Sequence, residues 1–265
     1  MIARQKTGEK VKTDFKLSGA AANKIDGMLD RMGKMSKVMG GNPNDFAIFR
    51  GKRVLDIGCG SRAGKGAEWD GWKERIWEPW MCRLLDAAGA KPVGVDIGKN
   101  SEKFKTYSFD ITIPGNFEIF RPSSFDVVHN YTLACRSNPS PVLRRGIESR
   151  LKGLDKDGYI TRILELVEKG VISKKECDRL ERNSGSKEAR KGDLFVLAEA
   201  IALEEIPLIL RNEAQRILKE GGWYFGESQS YVKRDGVLEK GPKIIERIGG
   251  GKGSGSFQSG LTREW

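Results

Sequence analysis

The chain is poor in metal-binding side chains. Its 265 residues include one histidine, His129, and four cysteines, Cys59, Cys82, Cys135 and Cys177, with no CxxC pair. A histidine-rich metal centre is excluded, and a zinc site lacks its ordinary ligands. The cysteines read as reduced, structural thiols. Long apolar runs are also missing. No stretch approaches the ~20 apolar residues that cross a bilayer, and MIARQKTGEKVKTDFK has no apolar core of a secretory signal. The sequence therefore reads as cytoplasmic, without a membrane partner.

What is present supports a substantial core. At 38% hydrophobic and 31% charged residues, the composition is that of a folded α/β chain and not a disordered one. The formal charge is +11, and it is unevenly spread. Residues 1–53 carry 12 Lys/Arg against 5 Asp/Glu, whereas residues 54–130 carry 10 against 11. A basic N-terminal arm of this kind either stays solvated or attracts nucleic acid or another anionic surface.

The order of apolar patterns gives the organisation. Ile25, Met28, Leu29, Met32 and Met35 recur at spacings of three and four, which predicts an amphipathic helix from Ser18 that ends at Gly40–Gly41. RVLDIG (53–58), KPVGVDI (91–97), YSFDI (107–111), SFDVVHN (124–130) and GGWYFGES (221–228) read as strands. A helix reaching about Ala88 and another around 212–220 alternate with them. Such alternation predicts a doubly wound, mostly parallel sheet. KIIERI (243–248) and SFQSGLTREW (256–265) would close it as an antiparallel pair around the Gly/Ser-rich GGGKGSGS. The interval 131–211 is too long for one crossover and reads as a helical insertion, with a Ser173-capped helix and an apolar helix reaching Pro207. Four segments result: a basic arm and capping helix (1–49), a cofactor-binding half (50–130), the insertion (131–211) and C-terminal strands (212–265).

The stretch VLDIGCGSR (54–62) carries the chemistry. Glycines at 58 and 60, just past a strand, allow a tight turn and close approach of a ligand to backbone. A nucleoside-triphosphate loop is excluded. In CGSRAGKG, Cys59 stands where the first glycine belongs and Gly66 where the magnesium-binding hydroxyl belongs. A dinucleotide fingerprint fits the letters from Gly58 to Ala63, but the next strand-end acid, Asp96, comes far later than the usual ~20 residues. Neither class explains Asp56.

The run apolar-apolar-Asp-apolar-Gly-x-Gly resembles the first motif of class I S-adenosylmethionine-dependent methyltransferases. GVDI (94–97), FDIT (109–112), FDVVHN (125–130) and RILKEGGWYF (216–225) resemble that family's next strand ends in the same order. The resemblance covers about residues 50–130 and 210–230. It implies a Rossmann-like, seven-stranded methyltransferase fold with the insertion between strands 4 and 5, and S-adenosyl-L-methionine as cofactor. It further implies that Asp56 takes the methionine ammonium, directly or through water, and that Asp96 takes the ribose hydroxyls. Asp110, with Phe109 or Ile111, would meet the adenine; an alternative role for Asp110 is a helix N-cap. Ile57, Gly58, Cys59, Gly60, Ile97 and Asn130 complete the implied cofactor set. Arg62 departs from the family, many of whose members have a third glycine there. Trp69 and Trp72 either cover the cofactor or belong to the core.

His129 and Tyr131, at the end of the fourth strand, are the catalytic candidates; strand alternation could equally turn His129 into the core. The family's amino-group branch often carries Asn/Asp-Pro-Pro-Tyr/Phe there. Here the run is Asn130-Tyr131-Thr132-Leu133, so exocyclic base amines are not favoured. Three readings follow: a methyltransferase acting on a small molecule or protein side chain, one acting on RNA through the basic arm, and a cofactor-binding interaction module without catalysis.

Overall fold

A computed structural model describes residues 19–60, 78–130 (save 99, 101, 112 and 114), 141–184, 187–226 and 228–244. The expected Ser18 cap, residues 1–18 of the basic N-terminal arm, the link 61–77 with Arg62, Trp69, Trp72 and Trp77, and the segment 131–140 with Tyr131 and Cys135 lie outside them. So does almost all of the terminal pair expected at 243–265.

Two compact units emerge. The first comprises residues 1–110, 121–130 and 218–265; the second comprises 111–120 and 131–217. The first holds a seven-stranded sheet of strand order 3-2-1-4-5-6-7. Its strands are β1 (Arg53–Ile57), β2 (Lys91–Asp96), β3 (Lys105–Ser108), β4 (Phe125–Asn130), β5 (Leu218–Phe225), β6 (Gln229–Arg234) and β7 (Val237–Lys243). β3, β2, β1, β4 and β5 run parallel. Val54, Leu55 and Ile57 on β1 are buried, as are Val127 and Val128 on β4, so both faces of the central strands are covered. The strand order reverses between β1 and β4. At such a switch point the loops leaving the strands part and open a crevice.

The seven-stranded, mostly parallel sheet expected from the sequence is present, although it is not doubly wound throughout. The sheet is mixed, because β6 and β7 add by antiparallel pairing. The link from β2 to β3 also holds no helix among the described residues. The hairpin of β6 and β7 is not among the elements expected from the sequence. Asp235 and Gly236 both have positive φ, 49° and 78°, and they make the tight turn of a two-residue hairpin. Strand β7 ends the sheet with Glu239, Lys240, Pro242 and Lys243, which discourage further strand addition. A second local device sits at the start of β5. Gly222 passes so close to β4 that a Cβ there would meet the Asp126 carbonyl oxygen at 3.2 Å, and the register shifts between Phe125 and Val127.

Helix α1 (Gly19–Val38) precedes the sheet and α2 (Trp80–Ala87) links β1 to β2. The apolar stripe of α1 is buried at Ile25, Met28, Met32 and Met35. Its end is a Schellman turn: Gly40, at φ 85°, gives its N–H to Lys37 O, and Gly41 gives its N–H to Ser36 O. At the opposite end of the strands, the Asp126 carboxylate accepts from Arg53 N at 2.7 Å and from Lys219 Nζ at 2.9 Å. It thereby ties the starts of β1, β4 and β5.

The second unit is helical: α3 (Pro141–Gly153), α4 (Lys156–Glu168), α5 (Lys174–Asn183), α6 (Lys187–Ala200) and α7 (Ile206–Ile217). Ser173 caps α5 in a reciprocal capping box with Glu176. The helical run does not stop at Pro207. A π turn over Ile201–Glu205 leads straight into α7. Its wider i→i+5 pattern accommodates the missing proline N–H. Glu205, buried in that turn, is held by Arg162 and by Lys169 at 2.9 Å. No described helix is long and apolar enough to cross a membrane.

Candidate functional site at the strand tips

The ends of β1, β2 and β4 bring most of the described candidate residues into one region of the first unit. Register places Ile57 beside Asn130 and Asp56 between Gly94 and His129. The loop after β1 turns through Gly58 at φ 73° and Gly60 at φ 90°. In this left-handed region only glycine is free of strain.

The amide hydrogens of residues 58–60 are all occupied. Gly58 N and Cys59 N both donate to Val95 O, at 2.8 and 3.1 Å. Gly60 N donates to Asp96 Oδ2 at 3.0 Å, and Asp96 Oδ1 accepts from Gly98 N at 3.1 Å. Asn100 Nδ2 donates to Gly60 O at 2.7 Å. Asp96 thus clamps the β1 and β2 loops together with two charge-assisted bonds. A phosphate cradle needs free N–H groups; residues 58–60 offer none. What the tips present is acceptor capacity. Asn130, only 5% exposed, keeps its Oδ1 buried without a hydrogen-bond partner. A buried acceptor left unpaired costs about 1–3 kcal/mol.

The apolar candidates separate. Ile97 is 55% exposed just past β2, and Phe109, whose N–H donates to Asp96 O at 3.0 Å, is half-buried. An exposed isoleucine beside a carboxylate clamp offers a flat apolar surface to a ring. Asp110 is half-buried beyond the end of β3, and its implied N-cap alternative finds no helix directly after it among the described residues. Ile111 is buried and belongs to the second unit.

Asp56 has a different neighbour from the expected ammonium. It is 3% exposed. Its Oδ1 lies 2.7 Å from His129 Nδ1, and its Oδ2 accepts from Cys82 Sγ at 3.5 Å. His129, 1% exposed, is closed on its other side, where Nε2 accepts from Arg31 Nε at 3.4 Å. Arg31, also 1% exposed, gives a second N–H to Gly226 O, just past β5. These bonds fix the Nδ1–H tautomer of a neutral imidazole. Burial lowers the histidine pKa despite the Asp56 carboxylate, and the charges of Arg31 and Lys24 lower it further. Both ring nitrogens are engaged, so the imidazole organises the core beneath the tips and does not face an acceptor.

Cys59 in the loop and Cys82 on α2 are packing groups. A Cβ at Gly94 would lie 2.8 Å from Cys59 Sγ and 3.4 Å from Cys82 Sγ, so β2 needs glycine there to admit the sulfurs. A hydrogen bond with Cys82 favours the Cys59 thiolate, but burial and the charges of Asp56 and Asp96 outweigh it and raise its pKa. Burial, the Cys59 thiol and Asp56 push Cys82 well above the usual range. Both stay as thiols. Among the described residues, the one close cluster of metal-ligand type is Cys177, Asp178 and Glu181 on α5, away from these strand tips in sequence and in the other unit.

Sequence reasoning missed Arg31 entirely. Its signal was visible: it stands three residues after Met28 and four before Met35, inside the apolar stripe. No protein-family model matches the chain, no curated protein matches its sequence, and no solved structure matches it.

Proposed function

We propose that the chain is an S-adenosyl-L-methionine-dependent methyltransferase whose cofactor lies across the tips of β1, β2 and β4. The observation that carries this reading is the acceptor-rich, donor-poor character of those tips among the described residues. A cationic sulfonium nucleoside offers an ammonium, a ribose diol and an adenine amino group as donors, beside a single carboxylate. A dinucleotide or nucleoside triphosphate instead brings phosphates that need donors. Asp96 stands where the resemblance puts the ribose diol, and each bond to a charged acceptor is worth about 1.5–3 kcal/mol. The exposed Ile97 and half-buried Phe109 suit the adenine faces, with Asp110 near its amino group. Asp56 acts at one remove, by holding His129 and the β1 strand end.

When bound, the cofactor supplies an activated methyl group that moves in line to a nucleophile. The protein's part is placement and exclusion of water. The Asn130 Oδ1 is a ready acceptor for an N–H or O–H of cofactor or substrate. The acceptor molecule is a small molecule or a protein side chain in this reading; of the basic arm 4–53 that would favour RNA, residues 4–18 lie outside the described residues. The test is methyl-labelled cofactor with fractionated cell extract. Label should pass to a defined fraction with the wild type and not with Asp96→Ala. Equal labelling by both proteins, or none by either while S-adenosylhomocysteine fails to bind, would overturn the assignment.

A further inference from the structure

The chain buries an arginine where its apolar helix face should be continuous. Removing a guanidinium from water is costly unless its donors are matched. Arg31 is matched at two strand ends: Nε bonds His129 Nε2 on β4, and Nη2 bonds Gly226 O after β5. A methionine or leucine at this position would have filled the stripe more simply. The arginine therefore specifies where α1 docks and which state of His129 it docks on.

We infer that Arg31 is a positioning residue of the strand-tip site: through the unprotonated ring of His129 it orients Asp56 and holds α1 to the ends of β4 and β5. The chain of bonds is continuous. Arg31 Nε–H points at the lone pair of Nε2, Nδ1–H points at Asp56 Oδ1, and Asp56 ends two residues before Gly58. A proton on Nε2 removes the acceptor and sets two N–H donors and two positive charges against each other. The arrangement is thus a latch that opens when His129 takes a proton. The groups facing the imidazole are Asp56 on β1, with Cys82 of α2 on the far oxygen of that carboxylate, and Arg31 and Lys24 on α1. Beside it on β5 stands the uncharged Phe225. The carboxylate favours the proton; burial and the two cations oppose it.

The functional half of this inference rests on the cofactor reading above; the structural half does not. His129 is the only histidine in the chain, so its imidazole gives a single, unambiguous signal in nitrogen-15 NMR of the full-length protein. The expected result is the Nδ1–H tautomer and a titration below the ordinary ~6.5. Arg31→Met should move that titration upward, and Arg31→Lys, which keeps a charge but loses the planar fork, should move it less. Amide exchange across 19–38, corrected for the intrinsic pH dependence, should speed up as His129 protonates. His129→Gln, whose amide can serve both neighbours but takes no proton, should abolish that change. In the same samples, wild-type affinity for S-adenosylhomocysteine should fall about ten-fold through the transition, as one unit of coupling requires, and stay level in His129→Gln. An Nε2–H tautomer, a titration unmoved by Arg31→Met, or exchange in α1 indifferent to His129 overturns the latch. If the NMR and exchange results hold but S-adenosylhomocysteine binds at no pH, the latch stands and the cofactor assignment falls.

Discussion

Replacing Gly94 with alanine tests the packing beneath the candidate site. The new Cβ would lie 2.8 Å from Cys59 Sγ, well inside contact distance, and 3.4 Å from both Cys82 Sγ and Thr106 Cγ2. Little can yield. The Cys59 backbone is held by its own N–H and that of Gly58 on Val95 O, and its sulfur already rests 3.2 Å from Gly60 O. Overpacking a core of this kind costs about 1–3 kcal/mol, and the pinned loop places the expected loss near the middle, about 2 kcal/mol. Without the clash, alanine in a strand would be slightly stabilising, by about 0.5 kcal/mol. The sign alone is therefore informative. Urea unfolding followed by fluorescence would read the loss as a lower midpoint at unchanged slope. Cys59→Ala in the same chain removes the opposing sulfur, so the double variant should recover about 1 kcal/mol or more beyond additivity. A Gly94→Ala protein as stable as the wild type, with no coupling to Cys59, would refute this contact between β2 and the β1 loop.

Three further outcomes are expected. Asp96→Ala leaves the amides of Gly60 and Gly98 without their acceptor, so it should cost about 1–3 kcal/mol of stability and at least ten-fold in S-adenosylhomocysteine affinity by calorimetry; Asp96→Asn should lose the affinity and recover part of the stability. Asn130→Leu removes a buried unpaired acceptor. Its stability should be unchanged or raised by about 1 kcal/mol, while ligand affinity or methyl transfer falls, a split that thermal unfolding and calorimetry together would read. The third is a pH effect. The folded-state pKa of His129 is lowered, so the unfolded chain takes the proton first as pH falls. The contribution is complete above about pH 6.5 and declines below it towards the folded value, at no more than about 1.4 kcal/mol per unit. Comparing urea midpoints of the wild type and His129→Gln across that window should show a slope that the variant lacks.

Much of the fold was legible because burial on both faces leaves a plain record. The runs at 53–58, 91–97 and 124–130 became β1, β2 and β4, since parallel central strands need continuous apolar sequence. The stripe of α1 and the Ser173 cap were equally plain. The β6–β7 hairpin had a visible signal that went unread: Asp235–Gly236 between Val232 and Val237 is the strongest short hairpin cue a sequence offers. Pro207 misled because a proline normally ends a helix, and the π turn that accommodates it has no sequence pattern of its own. At the site, the glycines stood out by their place just past a strand, and Asp96 and Asn130 entered only through the resemblance. The partners of Asp56 were not. Hydrogen bonds joining β1, β4 and α1 link residues 73 and 98 positions apart, and single-chain periodicity carries no trace of such pairs.

The central claim is that the strand tips are built for a donor-rich sulfur nucleoside and not for a phosphate. Calorimetry of the full-length chain with S-adenosylhomocysteine, NAD and ATP in parallel tests it most directly. Binding of the first alone is predicted, weakened by Asp96→Ala. Binding of NAD or ATP with none of the sulfur nucleoside would contradict it.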